Sequence, residues 1–364
     1  MPEVPHNRLT FGDAECDAVL RAVRSGQWAQ GPRVQELETA LARLGGVQHA
    51  VCVASGLAAL RLALGGLGIL PNDSVLVPAY SCVALANSAL AWGATPVPVD
   101  VDPVHWNIDP VLCRSYAETT RPRAAIAVNM FGAPAAVEEM ASSDVPVVGV
   151  PVIEDCAHGF AHSIGSATGQ KWIGSRAQAG VFSFYATKLI GGGEGGAVLT
   201  DSDEIAHFAR SARDYADQPA DGHRMNDKMN DLEASLVLAQ LERLPEMIAA
   251  RESVANRYLD RLADPRFQHV FCLPSKSKER VWYRFAVEML TTSAETVVAG
   301  LGRFDIHAAV PVTDWRGPGS PAAPVADRAY RTLVSLPLYP TLTEEEQDAV
   351  VKAFLKLCED YLCA

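Results

Sequence analysis

A lysine set between two strand-like segments and followed by glycines is the first residue in this chain that could do covalent chemistry. The stretch is Gly180-Val-Phe-Ser-Phe-Tyr-Ala-Thr-Lys188-Leu-Ile-Gly-Gly-Gly-Glu-Gly-Gly196. A lysine amine forms Schiff bases with carbonyl groups, including that of an aldehyde cofactor. A solvated lysine in a glycine loop is the plainer reading of the same residues. The second stretch is Val152-Ile-Glu-Asp-Cys-Ala-His-Gly159. Acids at the C-terminal end of a buried parallel strand stand where open α/β sheets bind ligands. Strand side chains alternate, so one of Glu154 and Asp155 should enter the cleft and the other point away. A buried carboxylate there could keep a pyridine nitrogen protonated; an exposed acid at a strand end is the alternative. The third is Ser55-Gly56, between a short strand and a helix start. Free N–H groups there make an anion site, or Ser55 is an ordinary helix cap.

Other patterns carry less. His158, His162 and Cys156 lie close in sequence, but their spacing matches no common zinc pattern, so no metal is expected. Gly191, Gly193 and Gly196 fit GxGxxG formally, yet they lead into a strand and not a helix, which a dinucleotide loop requires. No GxxxxGK[ST], HExxH or GxSxG occurs.

The elements that must position these residues alternate regularly. Residues 13–24 and 32–44 have helical periodicity, with Val34, Leu37, Leu41 and Leu44 at three- and four-residue steps. Strand-like runs follow at 50–54, 74–78, 95–99, 124–130, 147–154, 179–185 and 197–200. Helical runs lie between them at 57–64, 82–92, 109–118 and 135–141, with another at 202–213. Repeated β-then-α with continuous apolar strands predicts a mostly parallel, doubly wound sheet. Beyond residue 215 the texture changes. A helical pattern from 231 to 262 should be kinked or split by Pro245. Strands are expected at 278–290 and 306–312, a helix at 294–302, a loop at 311–324 and a terminal helix at 343–361. The expected organisation is a large domain over 1–240 and a smaller α+β domain over 241–364.

Composition sets bounds. The chain has 364 residues, is 49% hydrophobic and 20% charged, and carries a net charge of -12. That suits a large globular core and argues against nucleic acid as a partner. A phosphate-bearing ligand would have to be held locally, by backbone N–H groups and a few cations. The eight cysteines form no CxxC pair and fit reduced thiols of a cytoplasmic protein. Neither a signal core nor an apolar run of about 18 residues is present, so no membrane span is expected.

Taken together, a phosphate site, an acid and a lysine in that order on one doubly wound domain resemble the DegT/DnrJ/StrS family of aminotransferases. These depend on pyridoxal 5′-phosphate (PLP) and have the aspartate-aminotransferase-like fold. The resemblance runs nearly end to end. It includes Val53-Ala-Ser-Gly-Leu-Ala-Ala-Leu60, Gly93-Ala-Thr-Pro-Val-Pro-Val-Asp-Val-Asp102, Ile153-Glu-Asp-Cys-Ala-His158, Phe182-Ser-Phe-Tyr-Ala-Thr-Lys188 and Asn226-Asp-Lys-Met-Asn-Asp-Leu-Glu-Ala234. It implies transfer of an amino group from an amino acid, expected to be glutamate, to a keto sugar carried on a nucleotide. A keto-cyclitol or other ketone acceptor is the alternative, and a non-catalytic PLP-binding regulator a further one. By resemblance, Lys188 is the Schiff-base lysine and proton carrier, and Asp155 binds the pyridine nitrogen. His158 lies near the ring oxygen, and Ser183 with the Ser55-Gly56-Leu57 backbone holds the phosphate. Asn226 reaches the cofactor of a neighbouring subunit, which implies a homodimer with shared active sites. The chain also departs from the family pattern. Leu57 stands where a threonine is usual. Cys82 stands where an aromatic often stacks on the ring, a role that Tyr80 could take instead. Arg33, Arg224 and Arg284 are candidates for a pyrophosphate or carboxylate grip, or are merely solvated.

Overall fold

The computed structural model describes residues 3–141, 150–160, 163–166, 169–216, 223–277 and 279–362. Two short amphipathic helices lead the chain, α1 (Asp13–Ser25) and α2 (Pro32–Gly45). A seven-stranded sheet follows, built from β1 (His49–Val53), β2 (Ser74–Pro78), β3 (Thr95–Val99), β4 (Ala124–Val128) and β5 (Val152–Asp155), and completed by β8 (Ala179–Ser183) and β9 (Gly196–Thr200). Between β5 and β8 lies a small antiparallel hairpin, β6 (Ser163–Ser166) and β7 (Gly169–Trp172), which the sequence pattern did not signal. The spatial order is β1-β9-β8-β5-β4-β2-β3. Every pairing from β8 to β3 is parallel, and β9 alone runs against its two neighbours.

Most of these strands are apolar along most of their length because both faces are covered, with the edge strand β3 partly exposed. The alternation decides which residue meets which layer. Val51, Val53, Val75, Val77, Ile126 and Ile153 join a core with α3 (Gly56–Gly66), α4 (Val83–Leu90) and α7 (Asp203–Ala212). Ala50, Cys52, Phe182 and Leu199 face the other way, toward α2 and α8 (Asp231–Glu242). Leu76, Ala125 and Val152 continue that layer toward α5 (Pro110–Thr120) and α6 (Val137–Ala141).

The helical run 231–262 splits as its proline demands. α8 ends at Glu242, and α9 (Leu244–Leu262) begins with Pro245 in its first turn, where the missing N–H breaks no helical bond. Leu244 and Met247 pack on the large sheet's core, whereas Val254, Tyr258 and Leu262 belong to a second core. That second core surrounds an antiparallel sheet of β10 (Phe271–Cys272), β11 (Phe285–Met289) and β12 (Leu333–Leu336), with α10 (Ala294–Gly302) and α12 (Glu344–Glu359) over it.

The C-terminal third departs most from expectation. Within 278–290 only Phe285–Met289 is a strand. Residues 306–312 form no strand; Ile306 and Ala309 make single bridges, to Val4 and Ser335. The loop that begins near 311 ends at α11 (Pro324–Thr332), which runs directly into β12. α11 is amphipathic but only nine residues long and rich in polar residues, and it follows directly on a Pro/Gly-rich stretch.

Candidate active site

The candidate residues gather where the parallel strands end. β1 leads into α3, β5 ends on Asp155, and β8 leads into the loop that carries Lys188 before β9 returns. Parallel strands deliver their C-terminal ends to one edge, so residues over a hundred positions apart meet there.

Ser55 caps α3 from an extended backbone, with its Oγ accepting the Ala58 N–H at 3.1 Å. The first turn of a helix leaves N–H groups without helical partners and a positive dipole end. Ser183 closes the other side: a methyl group at Gly56 would lie 2.9 Å from Ser183 Cβ and 3.2 Å from its Oγ. Gly195 adopts a φ of +128° and bridges to Ser55, and a side chain at Gly196 would meet the Ser55 carbonyl carbon and oxygen. Ser55, Gly56 and Ser183 therefore lie together at the start of α3, where their N–H and hydroxyl groups could receive an anion. Leu57 is 40% exposed and adds no hydroxyl there.

β5 separates its two acids as strand alternation requires. Glu154 is fully buried in a network on one side: Arg176 Nε donates to it at 3.0 Å, Asn129 Nδ2 at 3.0 Å and the Gly174 N–H at 3.0 Å. Asp155 points to the opposite side, buried, and accepts the Ala157 N–H at 2.9 Å. Burial pushes its carboxyl up, while the Ala157 N–H and the Lys188 charge pull against that. Asp155 and Lys188 thus share one electrostatic environment.

His158 is the middle ring of a stack. Phe131 lies parallel at 6.1 Å and Tyr283 at 4.2 Å. Burial, with Lys188 and Arg284 nearby, pushes the imidazole well below its ordinary pKa, so it is neutral. Its Nδ1 accepts the Phe131 N–H at 3.4 Å, which assigns the ring proton to Nε2 as a donor. His162 lies outside the described residues. Among the described residues no cluster could hold a metal.

Lys188 is half-buried, and its Nζ sits 5.0 Å from the Tyr283 ring centre. Burial acts to raise the Tyr283 phenol; Lys188, Arg284, a hydrogen bond with Thr187 and Arg251 outweigh it and bring it to about 8. Arg251, itself buried, donates to the Tyr283 and Leu338 carbonyls at 3.3 and 3.2 Å. Tyr283 and Thr187 escaped the sequence reading. Tyr283 lies 95 positions from Lys188, and no local pattern links the two. On its outer side Lys188 opens into a cavity of about 540 Å³, shared with Leu9, Phe11, Leu20 and Val23.

Three further sequence candidates remain. Tyr80 is fully buried, edge-on to Tyr330 and to the Phe131 ring that stacks on His158, and its hydroxyl has no hydrogen-bond partner among the described residues. Cys82 is exposed at the start of α4. Asn226 is exposed next to Asp227, whose carbonyl accepts the Ala54 N–H at 2.7 Å, so it lies at the surface near the Ser55 end of the site. Among the arginines, Arg33 pairs with Glu36 and Arg224 donates to Ser211.

The donor set suits a phosphorylated pyridine aldehyde. It offers a cradle for the phosphate, a buried carboxylate for the ring nitrogen and a primary amine for the carbonyl. Known proteins agree. The profile of the DegT/DnrJ/EryC1/StrS aminotransferase family matches residues 10–355. The crystal structure of DesV from S. venezuelae is similar at 29% identity, over 97% of this chain and 99% of that one, with a TM-score of 0.85. A DegT DnrJ EryC1 StrS aminotransferase from Brucella abortus is 26% identical over 95% of both chains, with a TM-score of 0.83. The aminotransferase TlmJ from Streptoalloteichus hindustanus is 25% identical over 99% of this chain and 100% of that one, with a TM-score of 0.86. With a profile match over nearly its whole length and the expected fold beneath it, this chain belongs to the DegT/DnrJ/EryC1/StrS family of PLP-dependent aminotransferases.

Proposed function

We propose that this enzyme moves an amino group from an amino acid, glutamate being the expected donor, to a keto sugar carried on a nucleotide, and that it works as a homodimer. The observation that carries the reading is the convergence of Lys188, Asp155 and the Ser55-Gly56/Ser183 cradle at one edge of the sheet. PLP, when bound, supplies an electron sink that eases loss of the donor's α-proton.

The protein's share of the chemistry follows from the geometry. The α3 N-terminus and Ser183 Oγ hold the phosphate. Asp155 keeps the pyridine nitrogen protonated, and that proton supplies the countercharge that burial of the carboxylate calls for. His158 Nε2–H donates to the ring oxygen. Lys188 anchors the cofactor covalently, and once displaced its Nζ takes the proton from the donor Cα at close range. Once Nζ has taken that proton it is an ammonium, and the Tyr283 ring gives it a favourable place to rest through its π face. Leu57 and Cys82 remove a hydroxyl contact and a stacking ring that the family often has, so more of the binding falls to Ser55, Ser183 and Lys188.

Exposed Phe11, Leu20 and Val23 border the cavity at Lys188 and support a second subunit covering that mouth, with its Asn226 reaching the phosphate. A sedimentation run showing only monomer would remove this part of the reading.

The central test uses absorbance. Lys188→Ala should abolish the visible band of the lysine-bound cofactor and lower turnover by at least about 1,000-fold. Full turnover in that variant would sink the assignment. Offering a panel of nucleotide-linked keto sugars and keto-cyclitols to the amine form of the cofactor identifies the acceptor.

A further inference from the structure

Arg284 is a cation beside Lys188 to which the roles above give no work. It stands just before β11, half-buried, with its guanidinium 5.2 Å from the centre of the Tyr283 ring. Lys188 Nζ lies 5.0 Å from the same ring, so both cations gather at one aromatic side chain. Among the described residues three of the five buried arginines are neutralised, Arg61 by Asp227, Arg176 by Glu154 and Arg213 by Glu38, whereas Arg251 and Arg280 are not. Arg284 has no carboxylate within ion-pair distance among the described residues. Its Nη1 lies 3.1 Å from His6 Nε2, which also lies 2.9 Å from Ser335 Oγ.

The surroundings keep that charge single. Burial first, and then Arg284 itself, lower His6 to about 4, so the imidazole is neutral. Its Nε2 accepts from both Arg284 and Ser335, and its own proton sits on Nδ1. The other charged or titratable groups around Arg284 are Lys188, His158, Tyr80, Tyr283 and Arg251, and none of them is a carboxylate. One N–H of the guanidinium is engaged by His6, and the rest of its planar fork matches a carboxylate.

Space agrees with charge. His6, Asn7, Thr187, Tyr283, Arg284 and Ser335 border a cavity of about 50 Å³. A cavity of that size suits a small polar group such as a carboxylate. Thr187 is the residue before Lys188, so the cavity lies beside the reacting amine. Every amino-acid donor carries a carboxylate on the carbon that loses its proton, and the 2-oxo acid product keeps it. A ketone acceptor has none at that position.

We propose that Arg284, oriented by His6 and Ser335, binds the α-carboxylate of the amino-acid donor and of the 2-oxo acid it becomes. This rests on Lys188 being the reacting lysine. Arg284 thereby separates the two half-reactions: it selects the donor and leaves the acceptor untouched.

The test uses full-length holoenzyme and two amines that bind without turnover. One is 2-methylglutamate, which has the carboxylates but no α-hydrogen; the other is tert-butylamine, which has neither an α-hydrogen nor a carboxylate. Each is titrated against the absorbance of the bound cofactor. Arg284→Gln should weaken 2-methylglutamate by about 10- to 100-fold, the loss of one charge-assisted bidentate contact, and leave tert-butylamine within about twofold. Arg284→Lys keeps charge without the fork and should lose about fivefold for 2-methylglutamate alone. It also serves if the glutamine variant does not fold. Wild-type affinity for 2-methylglutamate in either folded variant, or equal loss for both amines, overturns the proposal. Lys188→Ala distinguishes the two failures. If that variant keeps the wild-type cofactor spectrum, the lysine reading has failed. If the spectrum is lost while Arg284→Gln binds like wild type, only the carboxylate subsite has failed.

Discussion

Glu154 and Asp155 are adjacent acids with opposite surroundings, and the strand period alone explains the division. Glu154 is held by Arg176, Asn129 and a backbone N–H; Asp155 has one N–H and the field of Lys188. Only the second has capacity left for a ligand. Asp155→Asn keeps the shape and removes the charge, so turnover should fall by about 100-fold or more, with cofactor affinity roughly tenfold weaker. Single-turnover absorbance with glutamate checks this, and a wild-type rate would take Asp155 out of the mechanism. The sequence pattern stated that these two acids would diverge, because a period of two is a local property. Tyr283, Thr187 and His6 were not legible as site residues. Their significance lies in contacts spanning up to 329 positions, as between His6 and Ser335, and no local rule encodes those.

At the level of elements, the site depends on how closely α3 approaches the β8–β9 loop. Gly56 has Ser183 directly against it, and Gly196 has Ser55. Gly56→Ala adds a methyl 2.9 Å from Ser183 Cβ, a distance that side chains do not tolerate without movement. The expected result is cofactor affinity weakened by about tenfold, read by equilibrium dialysis, with the far-UV spectrum unchanged. Unaltered affinity would mean that the cradle does not need this approach. Most elements of the seven-stranded sheet and its helices were legible because buried parallel strands are continuous apolar runs broken by helices of clear period. The C-terminal third was harder. β12 is only four residues long, and α11, though amphipathic, is only nine and follows a Pro/Gly-rich loop. The 306–312 segment has strand-like composition but pairs only through single bridges to Val4 and Ser335.

At the scale of the molecule, protonation couples the site to overall stability. His6 has a folded-state pKa of about 4 against an ordinary 6.5. The unfolded chain therefore binds more protons at this position between those values, and stability falls as pH drops from about 6.5 toward 4. Solvent still reaches this half-buried ring, so the loss is about 1–2 kcal/mol. Above pH 6.5 the group has no such effect. Urea unfolding of wild type and His6→Gln at pH 7 and pH 4.5 should show a gap that shifts in favour of the variant at the lower pH. A gap independent of pH would mean that His6 is not held neutral.

The segment around Val4 and His6 has a consequence for assembly. Val4 bridges to Ile306, and His6 lies between Arg284 and Ser335. Synthesis runs from the N-terminus, so Val4 and His6 wait without these partners until residues 284–335 have emerged from the ribosome. Ser55, Asp155, Ser183 and Lys188 have all been made by then. The seam that orients Arg284 therefore closes after the strands of the seven-stranded sheet have been synthesised.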